Sequence, residues 1–316
     1  MTVHHVYACR SNVGDWLSAR GVQSVLSPLE MVEHLCDEPF ADETLRALSG
    51  LQAGDVVVVG GGGLLMDYFR DFWEGVLELP AEVPLFVWGV GACDHKRQSS
   101  TLQGRLLRAV VERSRLFVAR DDLTRDLIGE RAVLGPVACP AVVAVPSPPD
   151  TGLGVLCVAH RYLLGDSTDR YVRRVSRDLA AATDRPYDEI DNRIPPDDLG
   201  ALADVVKRYE AADVIVSSRL HGCVIGLAMG RRVVAVSGDR KIDSFMSAAG
   251  LRDWVCEVDD ERGLRDRMAR VEEQPSAAAF VEASRRDNAG IGERVKAIVR
   301  DLDPGARELE PEGERR

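Results

Sequence analysis

The sequence predicts an α/β protein of two Rossmann-like domains whose parallel sheets face a shared cleft. Three observations carry that prediction. Apolar strands alternate with amphipathic helices over nearly the whole chain, the order that builds parallel sheets. The stretch Asp55-Val-Val-Val-Val59 holds an unbroken β-branched run, as a strand covered on both faces requires. The alternation breaks once, over residues 136–151, which contain Pro136, Pro140, Pro146, Pro148 and Pro149. Proline extends neither a ladder nor a helix interior, so this segment reads as an extended linker between domains at 1–148 and 149–302.

In the first domain, strands are expected near Val3–Cys9, Asp55–Gly60, Leu85–Val90 and Leu116–Ala119. Helices fall between them, among them Leu102–Glu112 and Asp121–Leu127. The second domain restarts at Gly154-Val-Leu-Cys-Val158 and runs through helix, strand and helix to a buried strand from Asp213. A sharp turn, a helix, the strand Arg232–Val236 and a last strand near Trp254–Val258 follow. Residues Ala277–Leu302 read as one long amphipathic helix of the second domain. The tail from Asp303, rich in Glu, Arg, Pro and Gly, is expected to be disordered.

Composition narrows the function classes. The chain has 316 residues, enough for two cores, with 45% apolar and 29% charged residues, a soluble globular balance. A formal net charge of -11 argues against nucleic acid as a partner. The seven cysteines are scattered, odd in number and never spaced as CxxC, and no signal peptide is evident. A reduced, cytoplasmic setting is therefore expected. No apolar run reaches the length of a membrane span. No HExxH, His–Cys cluster or GxSxG is present, so neither a metal nor a serine hydrolase elbow is expected.

Ligands of open parallel sheets bind beyond the carboxyl ends of the strands, and the informative motifs all fall there. The strongest is Ser217-Ser-Arg-Leu-His221. Ser217 or Ser218 can cap the following helix, Leu220 should point into the core, and Arg219 and His221 should flank it in the first turn. A helix start offers free N–H groups and a positive dipole end, so an arginine and a histidine there point to a phosphate or carboxylate site. The helix start lowers an imidazole pKa and a bound dianion raises it, which would hold His221 near the working pH. After the next strand, Asp239-Arg-Lys241 offers Lys241 as a point charge.

Weaker signals accompany these. Gly60-Gly-Gly-Gly63 follows a strand and precedes the helical stretch Leu64–Trp73, so Gly61, Gly62 and Gly63 can let a ligand approach the backbone; a tight turn is the competing reading. Asp67 can cap, pair with a cation or bind a sugar hydroxyl. Asp15 can cap the helix expected from Trp16, which residue type alone favours, or act as a base or hydroxyl acceptor at the cleft. Arg120 can reach an anion or pair with Asp121 or Asp122, one of which should cap a helix. His160 ends the strand Val155–Val158 and can touch substrate; His95 and Lys96 are similar and weaker.

Together these segments resemble the polysaccharide pyruvyl transferase family. The resemblance rests on Asn12-Val-Gly-Asp15, the Gly60–Gly63 loop running into Asp67, Arg120-Asp121, and above all Ser218-Arg-Leu-His221 with Ala228-Met-Gly230 and Lys241 near Phe245. It implies a GT-B-like fold with the site between the domains, the acceptor on the first and phosphoenolpyruvate on the second. It implies transfer of a pyruvyl group to two hydroxyls of a sugar, giving a cyclic ketal and phosphate without metal or cofactor. Arg219 and His221 carry over as the family's functional pair. On this reading Arg219, Lys241 and Arg120 hold the donor, His221 shuttles the proton, and Asp15 or Asp67 serves the acceptor. The family's Gly-Gln-Gly loop reads Gly89-Val-Gly-Ala-Cys-Asp94 here, and its Asp-Pro reads Cys139-Pro140. Both changes allow an acceptor other than a cell-wall sugar, such as a glycosylated small molecule; a lipid-linked acceptor would bring the protein to the membrane surface. The competing readings are a GT-B glycosyltransferase using a nucleotide sugar and a non-catalytic anion-binding relative.

Overall fold

The computed structural model describes residues 2–129, 139–146, 152–160 and 164–302. Its strands form two parallel five-stranded sheets. The first, ordered β2-β1-β3-β4-β5, comprises β1 (Val3–Tyr7), β2 (Met31–Leu35), β3 (Val56–Leu65), β4 (Leu85–Ala92) and β5 (Ser114–Ala119). The second, ordered β10-β9-β8-β6-β7, comprises β6 (Gly154–Val158), β7 (Tyr187–Ile190), β8 (Ala212–Ser217), β9 (Arg232–Ser237) and β10 (Val255–Glu257). The first domain carries α1 (Val13–Leu26), α2 (Ala41–Ser49), α3 (Arg70–Leu77), α4 (Gly104–Arg113) and α5 (Asp122–Ile128). A short helix α6 (Ala141–Ala144) leads to α7 (Asp166–Ala182), α8 (Leu199–Ala211), α9 (Leu220–Ala228), α10 (Arg240–Ala248), α11 (Glu261–Ala269) and the long α12 (Ala278–Leu302).

The expected two-domain parallel architecture is present, with four local differences. Strand β2 was not foreseen: it is an edge strand with mostly half-exposed residues and lacks an apolar run. Strand β3 does not stop at Gly60 but continues through all four glycines to Leu65. Ladder bonds need only backbone, and Gly60 and Gly62 pair with Trp88 and Val90 before the register shifts near Leu65. The helix expected from Leu64 therefore begins later, with a 3-10 turn at Asp67–Phe69 and then α3.

The proline-rich segment is not an extended linker throughout. Cys139, Ala141, Val142 and Val145 are buried, and a Cβ on Gly21 of α1 would lie 2.0 Å from the Pro140 carbonyl, so this stretch is pressed onto α1. The expected boundary at 148/149 and the tail from Asp303 lie outside the described residues.

Helix α12 departs from its expected place in the second domain. Its Ile291, Val295 and Val299 share a core with Val3, Val22, Val56, Val58, Phe86 and Trp88 of the first sheet. Trp88 Nε1 donates to Asn288 Oδ1 at 3.1 Å beneath the helix. The chain thus returns to cover the first sheet.

Two short antiparallel bridges tie the domains at the cleft. Asn12 pairs with Arg193, with Val13 N donating to Asn192 O and Ile194 N to Ser11 O, both at 3.0 Å. His95 pairs with Asp239, with Lys96 N donating to Gly238 O at 3.1 Å and Arg240 N to Asp94 O at 3.0 Å. Among the described residues no helix is long and apolar enough to cross a membrane.

Candidate active site

A cleft of about 530 Å³ opens between the two sheets and is lined from both domains. Its floor is built at the carboxyl ends of strands, where the turns into helices place polar side chains.

At the end of β8, Ser217 Oγ accepts from Arg219 N at 3.0 Å and fixes the turn. Arg219 then occupies the N-cap position of α9 with an extended backbone and no side-chain cap. Neither serine caps the helix. Ser218 Oγ accepts from His160 N at 2.7 Å instead, tying the end of β6 to this turn. Leu220 points into the core as expected, and Arg219 and His221 both line the cleft.

His221 is 8% exposed and lies against the first turn of α1. Its Nε2 stands 3.4 Å from Ser18 Oγ and its Nδ1 3.8 Å from Asp15 Oδ1. A Cβ on Gly14 would fall 2.0 Å from Nδ1, so only glycine admits the ring here. Burial, reinforced by Arg120, Lys241 and Arg219, holds the imidazole well below its ordinary pKa. The balance near the working pH expected from the helix start is therefore displaced towards the neutral ring. Asp15 is not the cap of α1: Asn12 takes that role, its side chain accepting from Gly14 N at 3.1 Å. Asp15 sits three residues further and faces the cleft, its carboxyl pushed up to about 6 by burial against the opposing pull of Arg120, Lys241 and Arg219.

Arg120 ends β5 and is 2% exposed. Its Nε lies 3.3 Å from Asp121 Oδ2, while Nη2 has no hydrogen-bond partner among the described residues. Both sequence readings of Arg120, anion contact and ion pair, are thus compatible in one side chain. Asp121 caps α5 by accepting from Thr124 N at 2.8 Å. A Cβ on Gly91 would meet Arg120 Nη2 at 2.4 Å, so the Gly89–Asp94 segment makes room for the guanidinium. Lys241, in the first turn of α10, holds Nζ 2.7 Å from Asp239 Oδ2 and 2.9 Å from Cys93 Sγ. Burial opposes its charge, yet Cys93 and Asp239 raise its pKa above the ordinary lysine range. Asp239 is fully buried, caps α10 and also contacts His95 Nδ1 at 3.2 Å. His160 lines the cleft with its pKa lowered to about 3 by burial and by Arg219 and Lys241.

The cleft thus gathers Asp15, Gly63, Arg120, His160, Ser218, Arg219, His221 and Lys241. Three expected residues are not brought there. Gly61 and Gly62 lie beneath α1, at φ 88° and 97°, where a Cβ would meet Ser18 at 2.7 Å and Asp15 Oδ1 at 2.9 Å. Their role is to let α1 approach the sheet. Asp67 is exposed and pairs with Arg70 at 2.6 Å, outside the cleft wall. Ser18, Cys93 and Asp239 were missed. Asp239 carried a readable signal, an aspartate directly before a helix; Ser18 and Cys93 reach the site only through tertiary packing. No group of three His, Cys, Asp or Glu side chains among the described residues is placed to hold a metal ion.

A family model described as polysaccharide pyruvyl transferase matches residues 12–240, which include every cleft residue named above except Lys241. No curated protein matches the chain. Among solved structures, the UDP-GlcNAc 2-epimerase of Methanocaldococcus jannaschii in complex with UDP-GlcNAc and UDP is similar at 9% identity, with TM-score 0.62 over 95% of this chain and 99% of that one. The S. aureus MnaA–UDP co-structure is similar at 8% identity, with TM-score 0.59 over 98% of each chain. A putative UDP-N-acetylglucosamine 2-epimerase from Listeria monocytogenes gives 10% identity and TM-score 0.56 over 99% of each. At these identities the likeness concerns the fold, the two-domain arrangement shared by GT-B glycosyltransferases and such epimerases.

Proposed function

The chain belongs to the polysaccharide pyruvyl transferase family, and we propose that it moves a pyruvyl group from phosphoenolpyruvate to two hydroxyls of a sugar or glycan-like acceptor. The product is a cyclic ketal, and phosphate is released. The observation that carries the reading is the convergence of Arg120, Arg219 and Lys241 with the Asp15–His221 pair in one cleft closed by both domains.

The donor bears a carboxylate and a phosphate, and three cations suit that charge. Arg120 presents an Nη2 without a hydrogen-bond partner among the described residues, and Arg219 stands at a helix start, where N–H groups suit an anion. Protonation of the methylene carbon turns C2 into an oxocarbenium-like centre. One hydroxyl adds to it, the C–O bond to phosphate breaks, and the second hydroxyl closes the ring. Of the two hydroxyl protons, one ends on the new methyl group and one leaves with phosphate. His221 is suited to move them because an anionic donor offsets the three cations that depress it. Asp15, with a carboxyl near 6, can take a hydroxyl proton at neutral pH. Asp67 has no part in this reading. The acceptor lies on the first domain's side in this reading, and a lipid-linked sugar or a glycosylated small molecule suits the same chemistry.

The test is a thermal shift of wild type and Arg219→Ala with phosphoenolpyruvate set against UDP-, GDP- and CMP-sugars, followed by phosphate release with candidate acceptors. Ligand at about 100 times its Kd stabilises the fold by about 2.7 kcal/mol. Stabilisation by phosphoenolpyruvate that is lost in the variant supports the reading. Stabilisation by a nucleotide sugar alone sinks it and promotes glycosyl transfer, the second reading, which the UDP-bound neighbours of this fold keep in view.

A further inference from the structure

Cys93 follows β4 and lines the cleft together with Arg120 of the first domain and Lys241 of the second. Lys241 Nζ, from the second domain, donates to its sulfur at 2.9 Å. Gly63 has no side chain, and a Cβ there would stand 2.6 Å from Sγ, so only glycine admits the sulfur, 5% exposed, at this point of the cleft wall. Arg120, 2% exposed and with Nη2 unpartnered among the described residues, lines the same cavity. Positive charge from both domains thus stands beside the sulfur, where a carboxylate would dock.

From this juxtaposition we propose that Cys93 is an anion-guided nucleophile, a covalent site for small carboxylate-bearing carbon electrophiles of the 2-haloacid class. The carboxylate docks on Arg120 and Lys241, and the sulfur attacks the adjacent carbon. The S–C bond forms as the carbon–halogen bond breaks, halide leaves and the thiol proton passes to water. The inference needs only the cation cluster and goes beyond the identity of the donor.

Cys9 supplies an internal control. It also lines the cleft, but burial and the nearby Asp15 push its thiol up to about 11. The experiment alkylates the intact protein with iodoacetate, an anion, or iodoacetamide, its neutral counterpart, and reads each cysteine by peptide mass spectrometry. Rates are normalised to free mercaptoethanol. Cys93 should prefer the anionic reagent by about tenfold or more, the range of electrostatic focusing in a charged cleft. Cys9 should show no such preference. Inorganic phosphate should slow the reaction at Cys93, and Lys241→Met should remove the preference. A Cys93 that iodoacetate leaves unmodified, or one that shows no preference for the anion, overturns the proposal on wild-type protein alone, whatever the fold of the variant. Protection by phosphate without protection by phosphoenolpyruvate upholds this site while counting against the donor assigned above.

Discussion

Replacing Gly14 with alanine should damage the fold and the site together. In a helix this exchange ordinarily stabilises by about 0.5–1 kcal/mol. At Gly14 the added Cβ would fall 2.0 Å from His221 Nδ1, 2.1 Å from its Cγ and 2.3 Å from its Cβ. The Cβ of His221 is fixed to the α9 backbone, so turning the ring into the cleft cannot relieve that contact. Overpacking of this kind costs about 1–3 kcal/mol, which outweighs the helical gain and leaves a net loss of about 1–2 kcal/mol. Scanning calorimetry reads this as a fall of about 2–4 °C in the midpoint. Gly290 in α12 is the control: its Cβ would meet nothing within 4 Å, so Gly290→Ala should raise the midpoint. Displacing His221 by about 1 Å should also lower phosphate release by about a hundredfold. A Gly14→Ala protein that is more stable than wild type and fully active would refute the placement of His221 against α1.

Three further outcomes follow from the same geometry. Two residues beyond the control, Gly292→Ala should destabilise, because its Cβ would lie 2.0 Å from Val25 Cγ1; equal effects at both sites would contradict the docking of α12 on α1. Asp15 has its carboxyl raised from 3.8 to about 6 on folding, so the folded state binds more protons between those values and wild type loses stability as pH rises through them. Asp15→Asn is indifferent to that window and should be more stable by about 2–3 kcal/mol at pH 8, with the gap closing towards pH 4; a less stable variant at pH 8 would count against a buried carboxyl. Phosphoenolpyruvate should bind with proton uptake near pH 6.5, because an anion among Arg120, Lys241 and Arg219 raises both His221 and Asp15. Calorimetry in buffers of different ionisation heat should therefore show a buffer-dependent enthalpy, and a buffer-independent one would rule the linkage out.

Much of this arrangement is legible in the sequence where a single physical rule dominates. Strands β3, β6, β8 and β9 are buried on both faces, so their apolar runs announce them; β2 lies half-exposed at an edge and does not. The Ser218–His221 turn and Lys241 are readable because a helix start after a buried strand fixes both position and chemistry. Four glycines suggest a turn, but the ladder to β4 ignores side chains and carries the strand through them. Asp15 and Asn12 both suit a cap, and only the register of α1 decides that Asn12 takes it. Amphipathicity identifies the apolar face of α12, yet not which sheet it covers. Asp67 follows the glycines in sequence, but the extended β3 and the 3-10 turn leave it in solvent.

The three cleft cations are compensated unequally, and this separates binding from stability. Arg120 and Lys241 each have a buried carboxylate close in sequence, Asp121 and Asp239 respectively. Arg219 has no such partner: Nε makes no hydrogen bond among the described residues, and burial lowers its pKa below the ordinary guanidinium value. Folding therefore works against the charge on Arg219, while the charge on Arg120 supports a fully buried aspartate. Arg120→Ala should leave Asp121 without its cation and cost about 3–5 kcal/mol. Arg219→Ala should leave the midpoint of the protein alone unchanged or higher, yet abolish its rise with phosphoenolpyruvate. Removing a charge that contributes nothing to the fold while losing the ligand response is the behaviour of a residue kept for an anion. If Arg219→Ala instead unfolds the protein as readily as Arg120→Ala does, Arg219 is a structural cation and the donor must be held by other groups.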